Sequence, residues 1–323
     1  MLTTSRTEPT KLPAVSAPTR HESRRYTAGV TPRDATTEDD IRSVMERLRG
    51  RAATLTPGER KIARVLMADY PMAGLHPSAE LARRAGVSAP TVVRFAVQLG
   101  FPGYRELQYA IRAELSARQA SPLTLDTADV PPDQLCERAW STLGTGLRRT
   151  MSTILPVDLD RAVALLANPR HQVVSFGGRF TRLGAEYLDL HLRLLRPGTR
   201  LLSWSQQPES GFLADVGPRT VCVVFDVRRY QDDVIALARL AAQRSAPIIL
   251  ITDPWMSPIS AAADVVLAAS VESISSFDSM TSVIALTDLL VAGLVTRLGP
   301  AARQRMEHIE TARDELAPGH SEV

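Results

Sequence analysis

"SAELARRAGVSAPTVVRFAVQLG", running from Ser78 to Gly100, is the stretch whose spacing decides the N-terminal fold. Its apolar positions are Leu81, Ala85, Val87, Val92 and Phe95, with small Ala82 placed four residues before Gly86. That pattern predicts two short helices around a tight turn: the small residue lets the helices approach, glycine absorbs the turn, and the apolar set locks the second helix across the first. Ser88 is placed to cap the second helix, with Pro90 in the first turn, where no intrahelical N–H bond is due. Val92, Phe95, Ala96 and Leu99 then face inward, while Thr91, Arg94 and Gln98 share the polar face. Such a helix-turn-helix sets the N-terminal residues of its second helix against base edges in the major groove. Ser88, Ala89, Thr91, Arg94 and Gln98 are the expected DNA contacts, Arg94 suiting guanine or phosphate and Thr91 phosphate or a thymine methyl. Arg83 and Arg84 on the first helix are expected on the DNA backbone. The plainer alternative is a helical hairpin with a solvated polar face.

Outward from this stretch, the chain from Asp39 to Leu115 reads as helical throughout. Ile41, Val44, Met45 and Leu48 recur at helical spacing, and "TPGERKIARVLMADYP" offers Thr56 as N-cap, Pro57 at the first helical position and Pro71 as a stop. "YRELQYAIRAEL" is a further helix after Pro102-Gly103. Residues 1–37, rich in Thr, Pro, Ser and Arg, bury too little apolar surface to offset ordering entropy and are expected to be a disordered tail. Residues 116–132, with "SPLTLDTADVPP", read as a linker. Residues 1–120 hold 19 Lys and Arg against 12 Asp and Glu, a balance of +7, whereas residues 121–323 hold 19 against 23, a balance of −4. A basic first third joined to an acidic remainder fits a nucleic-acid-binding module followed by a different domain.

The second part changes period. Helices are expected from about Asp133 to Arg149 and from Asp158 to Ala167. The apolar runs "HQVVSF", "TRLLSW", "RTVCVVF", "PIILIT" and "ADVVLAA" then alternate with helical or loop segments, the pattern of strands buried on both faces of a parallel sheet. The length of 323 residues allows two domains. No stretch reaches the roughly 18–20 uncharged apolar residues of a membrane span, and the N-terminus lacks a signal-peptide pattern. Cys136 and Cys222 stand far apart without neighbours at metal-ligand spacing, so neither a disulfide framework nor a metal site is indicated, and a reduced, cytoplasmic protein is expected. His171 and His191 have no partner at a catalytic spacing, and no P-loop or nucleophile elbow occurs, so no catalytic residue and no cofactor is assigned.

"LTPGERKIARVLMADYP", "SAELARRAGVSAPTVVRFAVQLGF" and "GYRELQ" resemble the N-terminal domain of the RpiR/MurR family of bacterial transcriptional regulators, over the whole of residues 39–115. Members of that family join this domain to a sugar isomerase (SIS) domain, which residues 133–299 resemble. The fold implied is an all-α helix-turn-helix domain over residues 38–115, then an α/β doubly wound parallel-sheet SIS domain, with residues 300–323 as a C-terminal helix and tail. The resemblance also implies a homodimer or homotetramer on an inverted-repeat DNA operator. SIS domains that bind phosphosugars carry a Gly-x-Gly-x-Ser loop after the first strand and a Ser-x-Ser-Gly-x-Thr loop after a later one. Here the first reads "GGRFT", keeping Gly177, with Arg179 at the second glycine and Thr181 at the serine. The later loop reads "FDVRRYQDD", with Asp226, Arg228, Arg229 and Gln231 where Ser, Ser, Gly and Thr are usual.

Two readings of that exchange stay open. Arg179, Arg228 and Arg229 could clamp a carboxylate or phosphate, with Asp226 orienting one of them or binding a hydroxyl. Alternatively they fill the pocket by internal pairing with Asp226, Asp232 or Asp233, and the domain only dimerises. Glu272 falls near the place where SIS isomerases carry a catalytic glutamate, though a solvated loop acid is the plainer reading. The expected function is a DNA-binding regulator sensing a small anionic metabolite, a sugar phosphate or organic acid. A ligand-free dimerisation scaffold and a sugar-phosphate isomerase are the rivals, the last opposed by the lost hydroxyl loops.

Overall fold

Two capping boxes start the helical module. In this computed structural model, which describes residues 43–119, 131–202 and 210–316, Ser43 and Glu46 exchange side-chain and backbone bonds at the start of α1 (Val44–Arg51). Thr56 and Glu59 do the same for α2 (Pro57–Ala68), with Pro57 at the first helical position, and each box satisfies two amides that would otherwise lack partners. Past Pro71 a single unanticipated turn, α3 (Met72–Leu75), precedes α4 (Ser78–Ala85). Gly86 ends α4 in the left-handed region at φ 62°, its N–H returning to Ala82 and Arg83, and α5 (Ala89–Gln98) follows. The last helix of the module, α6 (Tyr104–Gln119), continues past the end expected at Leu115. The tail at 1–37, linker residues 120–130 and the end of the chain at 317–323 lie outside the described residues.

The second part opens with α7 (Leu135–Thr153) and α8 (Pro156–Ala167), both running beyond their expected limits. It continues with β1 (Gln172–Gly177), α9 (Arg182–Leu195), β2 (Thr199–Leu201), α10 (Ser210–Asp215), β3 (Thr220–Asp226), α11 (Asp232–Gln243), β4 (Ile248–Thr252) and β5 (Val265–Ala268). Two helices end it, α12 (Thr281–Leu298) and α13 (Pro300–Leu316). The five strands form one sheet in the order β2-β1-β3-β4-β5, every pairing parallel.

Continuous apolarity in the strands is explained by helices on both faces. Val221, Val223, Phe225, Ile249 and Ile251 pack with Leu188, Leu286 and Leu290 of α9 and α12. The alternate residues Cys222, Val224, Ile248 and Leu250 pack with Val234, Leu237 and Ala238 of α11. Burying each such side chain contributes about 1.5–3 kcal/mol, and the Cys222 thiol, raised to about 12 by burial, is an inert part of this core. By length and composition alone α12 is apolar enough to cross a membrane, although Asp288 and Arg297 keep it from being an uncharged run. In this fold its Val283, Leu286, Leu290 and Leu294 pack into the domain core.

The strand order places the reversal point between β1 and β3, so their C-terminal loops, 177–181 and 226–231, face one crevice. Open α/β sheets bind ligands in such a crevice.

Candidate functional site

The helix-turn-helix surface is built as its sequence spacing requires. Leu81, Val92, Phe95, Ala96 and Leu99 are wholly buried, which turns Arg94 outward and leaves Thr91 and Gln98 half-exposed beside it. Ser88 occupies the N-cap, yet its hydroxyl accepts no cap bond. The physical reason lies in the first turn: Pro90 has no N–H to offer, and the Thr91 amide already donates to the Ser88 carbonyl at 3.0 Å. The Ser88 hydroxyl instead meets the Thr91 hydroxyl at 2.8 Å, and Arg94 Nη2 lies 3.4 Å from Thr91 Oγ1. Ser88, Thr91 and Arg94 thus form one polar cluster at the start of α5, with Ala89 half-exposed among them.

Arg83 and Arg84 are both paired. Arg83 donates to Glu80 at 2.6 and 2.9 Å, and Arg84 to Asp69 at 2.9 Å. Sequence reasoning missed a second set of cations: Lys61 and Arg64 on α2 are exposed, and neither enters an ion pair among the described residues. Gly58 in the same helix sits so close to α5 that a Cβ there would lie 3.4 Å from Thr91 Cγ2. The signal was available: Lys61, Arg64 and Met67 recur at i, i+3 and i+6 on the side of α2 opposite Ile62, Ala63 and Leu66.

At the sheet crevice a cavity of about 410 Å³ is lined by Arg179, Thr181, Asp226, Arg228, Arg229 and Gln231, together with Phe180, Phe277, Asp278 and Met280. The fold therefore gathers all the expected ligand residues of both loops, with Gly177 beneath them. A Cβ on Gly177 would stand 2.9 Å from the Phe225 carbonyl and from Thr181 Oγ1, so glycine permits the close approach of the two loops. The Gly178 amide donates to Thr181 Oγ1 at 2.7 Å, and the Arg179 amide donates to Gln231 Oε1. Asp226 is buried and accepts from Ser257 Oγ at 2.5 Å, while Ser257 also caps the following turn by accepting from the Ile259 amide at 3.2 Å.

The three arginines divide between the two sequence readings. Arg228 pairs with Asp278, an acid outside both of those readings, and its guanidinium lies 5.0 Å from the Trp255 ring centre. Arg179 and Arg229 are exposed and hold no ion pair among the described residues. Arg229 adopts φ 64°, a left-handed conformation that costs a non-glycine residue of order 1 kcal/mol and is characteristic of sites that aim a side chain. Asp232 and Asp233 open α11 and its first turn rather than pairing with these arginines.

Glu272 is placed outside this cavity. It lies on the wall of a second cavity, about 400 Å³, between the helical module and the sheet domain, where it accepts from Arg149 at 3.3 Å. Val271, next to Glu272, accepts from the Ser279 amide, which closes the loop on itself. Among the described residues no group of three or more His, Cys, Asp or Glu side chains converges as a metal site.

Comparison with known proteins agrees with this architecture. Residues 42–118 match the helix-turn-helix domain of the rpiR family, and residues 165–293 match the SIS domain. The chain is similar to the HTH-type transcriptional regulator HexR of Pseudomonas aeruginosa, 26% identical over 286 residues, 86% of this chain and 97% of that protein. It is also similar to the bifunctional protein glk of Paraburkholderia xenovorans, 26% identical over 288 residues, which span 84% of this chain and 43% of that protein. Among solved structures, the sugar isomerase domain of an RpiR transcription factor from Sphaerobacter thermophilus superposes with a TM-score of 0.52 at 26% identity, covering 55% of this chain and 99% of that one. A helix-turn-helix of the rpiR type carrying its polar cluster on α5, followed by a SIS domain with its crevice at β1 and β3, places the chain in the RpiR family of DNA-binding transcriptional regulators.

Proposed function

We propose that the chain is a homo-oligomeric regulator that reads a two-fold symmetric DNA operator and senses a small anionic metabolite, a sugar phosphate or organic acid, in its SIS crevice. Arg179 and Arg229 carry the ligand reading, because two exposed guanidinium groups without ion pairs flank a crevice at the start of α9. Guanidinium forks suit carboxylate and phosphate bidentately, and the helix N-terminus adds a favourable partial charge. Thr181 and Gln231, which hold the Gly178 and Arg179 amides, are the side chains a phosphate oxygen would replace. Catalysis is not part of this reading: the usual hydroxyls are replaced, and Glu272 stands on another cavity.

The scaffold reading draws on one observation, the pairing of Arg228 with Asp278. A thermal-shift series with fructose 6-phosphate, glucose 6-phosphate, inorganic phosphate and citrate separates the two. A ligand at 100 times its dissociation constant stabilises the fold by about 2.7 kcal/mol, and a shift of that size that disappears in Arg179→Ala and Arg229→Ala is expected. No shift with any compound favours the scaffold. Random-pool DNA selection at physiological salt tests the operator, with enriched inverted half-sites expected and featureless recovery opposing it.

A further inference from the structure

One loop lines both the crevice and the cavity beside the DNA-reading module. Residues 271–280 connect the end of the sheet to α12, and the base of this loop is anchored: the Ser270 amide donates to Thr150 Oγ1 of α7 at 2.9 Å, and the Ser279 amide closes the loop on the Val271 carbonyl at 3.0 Å. From one side it sends Phe277, Asp278 and Met280 into the crevice. From the other it sends Glu272 to Arg149.

Arg149 holds two acids at once. Its Nη1 lies 3.3 Å from Glu272 and its Nη2 lies 2.9 Å from Glu46 of α1. Glu46 is nearly buried and is also the capping-box acid of α1, accepting from the Ser43 amide at 2.7 Å. On the same short helix, Arg47 Nη1 donates to the carbonyls of Leu99 at 3.5 Å and Gly100 at 3.4 Å, and Arg51 donates to the Gln98 carbonyl. These carbonyls end α5, where cations complement the helix dipole. The loop therefore places Asp278 on Arg228 at the crevice and Glu272 on Arg149. From Arg149 the charged contacts run on to Glu46 of α1, the helix whose Arg47 and Arg51 hold the end of the DNA-reading helix.

We propose that the 271–280 loop transmits occupancy of the crevice to α1 and α5. The inference rests on the ligand reading above and supplies its regulation. A phosphate or carboxylate entering the crevice competes with Asp278 for the Arg228 fork, since both are anions for the same donors. Trp255 keeps the guanidinium in place during that exchange, because the stacking does not depend on which anion is paired. The same Trp255 forms part of the wall of the interdomain cavity beside Glu272 and Arg149. Releasing Asp278 changes the restraint on the loop, and with it the pairing of Arg149 to Glu46. Spatial continuity alone does not establish coupling; non-additivity between its members does.

The test uses the full-length protein and needs no ligand. Asp278→Asn removes the anion that an incoming ligand would displace. Hydrogen exchange followed by mass spectrometry is expected to speed up by about fivefold or more, the lower end of ordinary coupling, both in residues 271–280 and in α1. Faster exchange in the loop with α1 unchanged overturns the proposal. Glu272→Gln, an exposed position that leaves the fold intact, is expected to loosen α1 in the same way, and an unchanged α1 there also overturns it. On the selected DNA, the double variant is expected to bind as the stronger single variant does, whereas effects that multiply overturn the relay. The ligand reading fails separately, when no compound in the thermal-shift series stabilises wild type; coupling between the two variants would still sustain the relay in that case.

Discussion

Arg83 and Arg94 are identical side chains on neighbouring helices, and their surroundings give them different roles. Arg83 is held by Glu80 three residues before it, in a solvent-exposed pair of a kind that water and salt screen to little net stabilisation. A DNA phosphate could take it over at little cost, so the pairing leaves Arg83 available to a DNA backbone. Arg94 stands clear of any acid among the described residues, beside Ser88 and Thr91 at the start of α5. Replacing Arg94 with Ala is expected to relax discrimination at one base pair by about 1–3 kcal/mol while stability is unchanged; binding titrations on single-base operator variants measure it. Uniform weakening on every sequence would reassign Arg94 to phosphate. Lys61 and Arg64 give the contrasting result. Removing both is expected to weaken binding equally on all sequences and to lower the slope of log affinity against log salt by about 0.9 for each phosphate no longer neutralised. An unchanged slope places α2 away from the DNA backbone.

At the scale of elements, Glu114 of α6 ties three helical segments together. It accepts from the Val44 amide of α1 at 2.6 Å and from the Tyr70 hydroxyl beyond α2. Burial pushes its carboxyl up to about 7, against the pull of those two donors and of Arg47, while Glu46 adds to the rise. Between about 4.5, its ordinary value, and about 7 the folded chain keeps a proton that the unfolded chain has lost. Stability therefore falls as pH rises through that window, and the loss is complete above it, on the order of 3 kcal/mol at most. Urea unfolding at about pH 5 and pH 8 is expected to show this loss in wild type and a flatter dependence in Glu114→Gln. An equal pH dependence in both places the titration elsewhere.

The elements themselves were legible in the sequence because their causes are local. Thr56 with Glu59, the spacing of Leu81 to Phe95 around Gly86, and the runs at β3 and β4 each needed only a few adjacent residues. The two crevice loops could also be found, from their position in the loop motifs of the SIS domains that the chain resembles. What the sequence left open depends on distant residues. Asp278 meets Arg228 across fifty positions, and Glu272 reaches Arg149 across more than a hundred. No periodicity reports either contact, so the sequence could not say that Glu272 lines the cavity beside Arg149 and not the crevice. Ser88 failed as a hydrogen-bonding cap for a local reason that was visible, the missing N–H of Pro90.

For the whole molecule the question is what covers the outer side of α9 and α12. Leu183 and Leu190 are more than half exposed on α9, with Tyr187 between them donating to Asp288 of α12 at 2.8 Å. Val295 of α12 and Phe180 at the crevice are exposed as well. Large apolar side chains grouped on the outside of neighbouring helices mark a contact surface, and the proposed two-fold operator requires two copies of α5 at a fixed separation. A second copy of the chain seated on this face meets both demands through a closed, self-complementary interface. Such a copy would lie beside Phe180, and the crevice and the interface would then share a boundary. The double variant Leu183→Asp, Leu190→Asp is expected to sediment at the 35.2 kDa mass of one chain, with wild type at twice that mass or a higher multiple. Its affinity for the full inverted repeat should fall towards that for one half-site, because the second α5 no longer binds at the effective concentration that linkage provides. Retention of the wild-type mass in the variant would move the interface to another face and leave the stripe on α9 without a role.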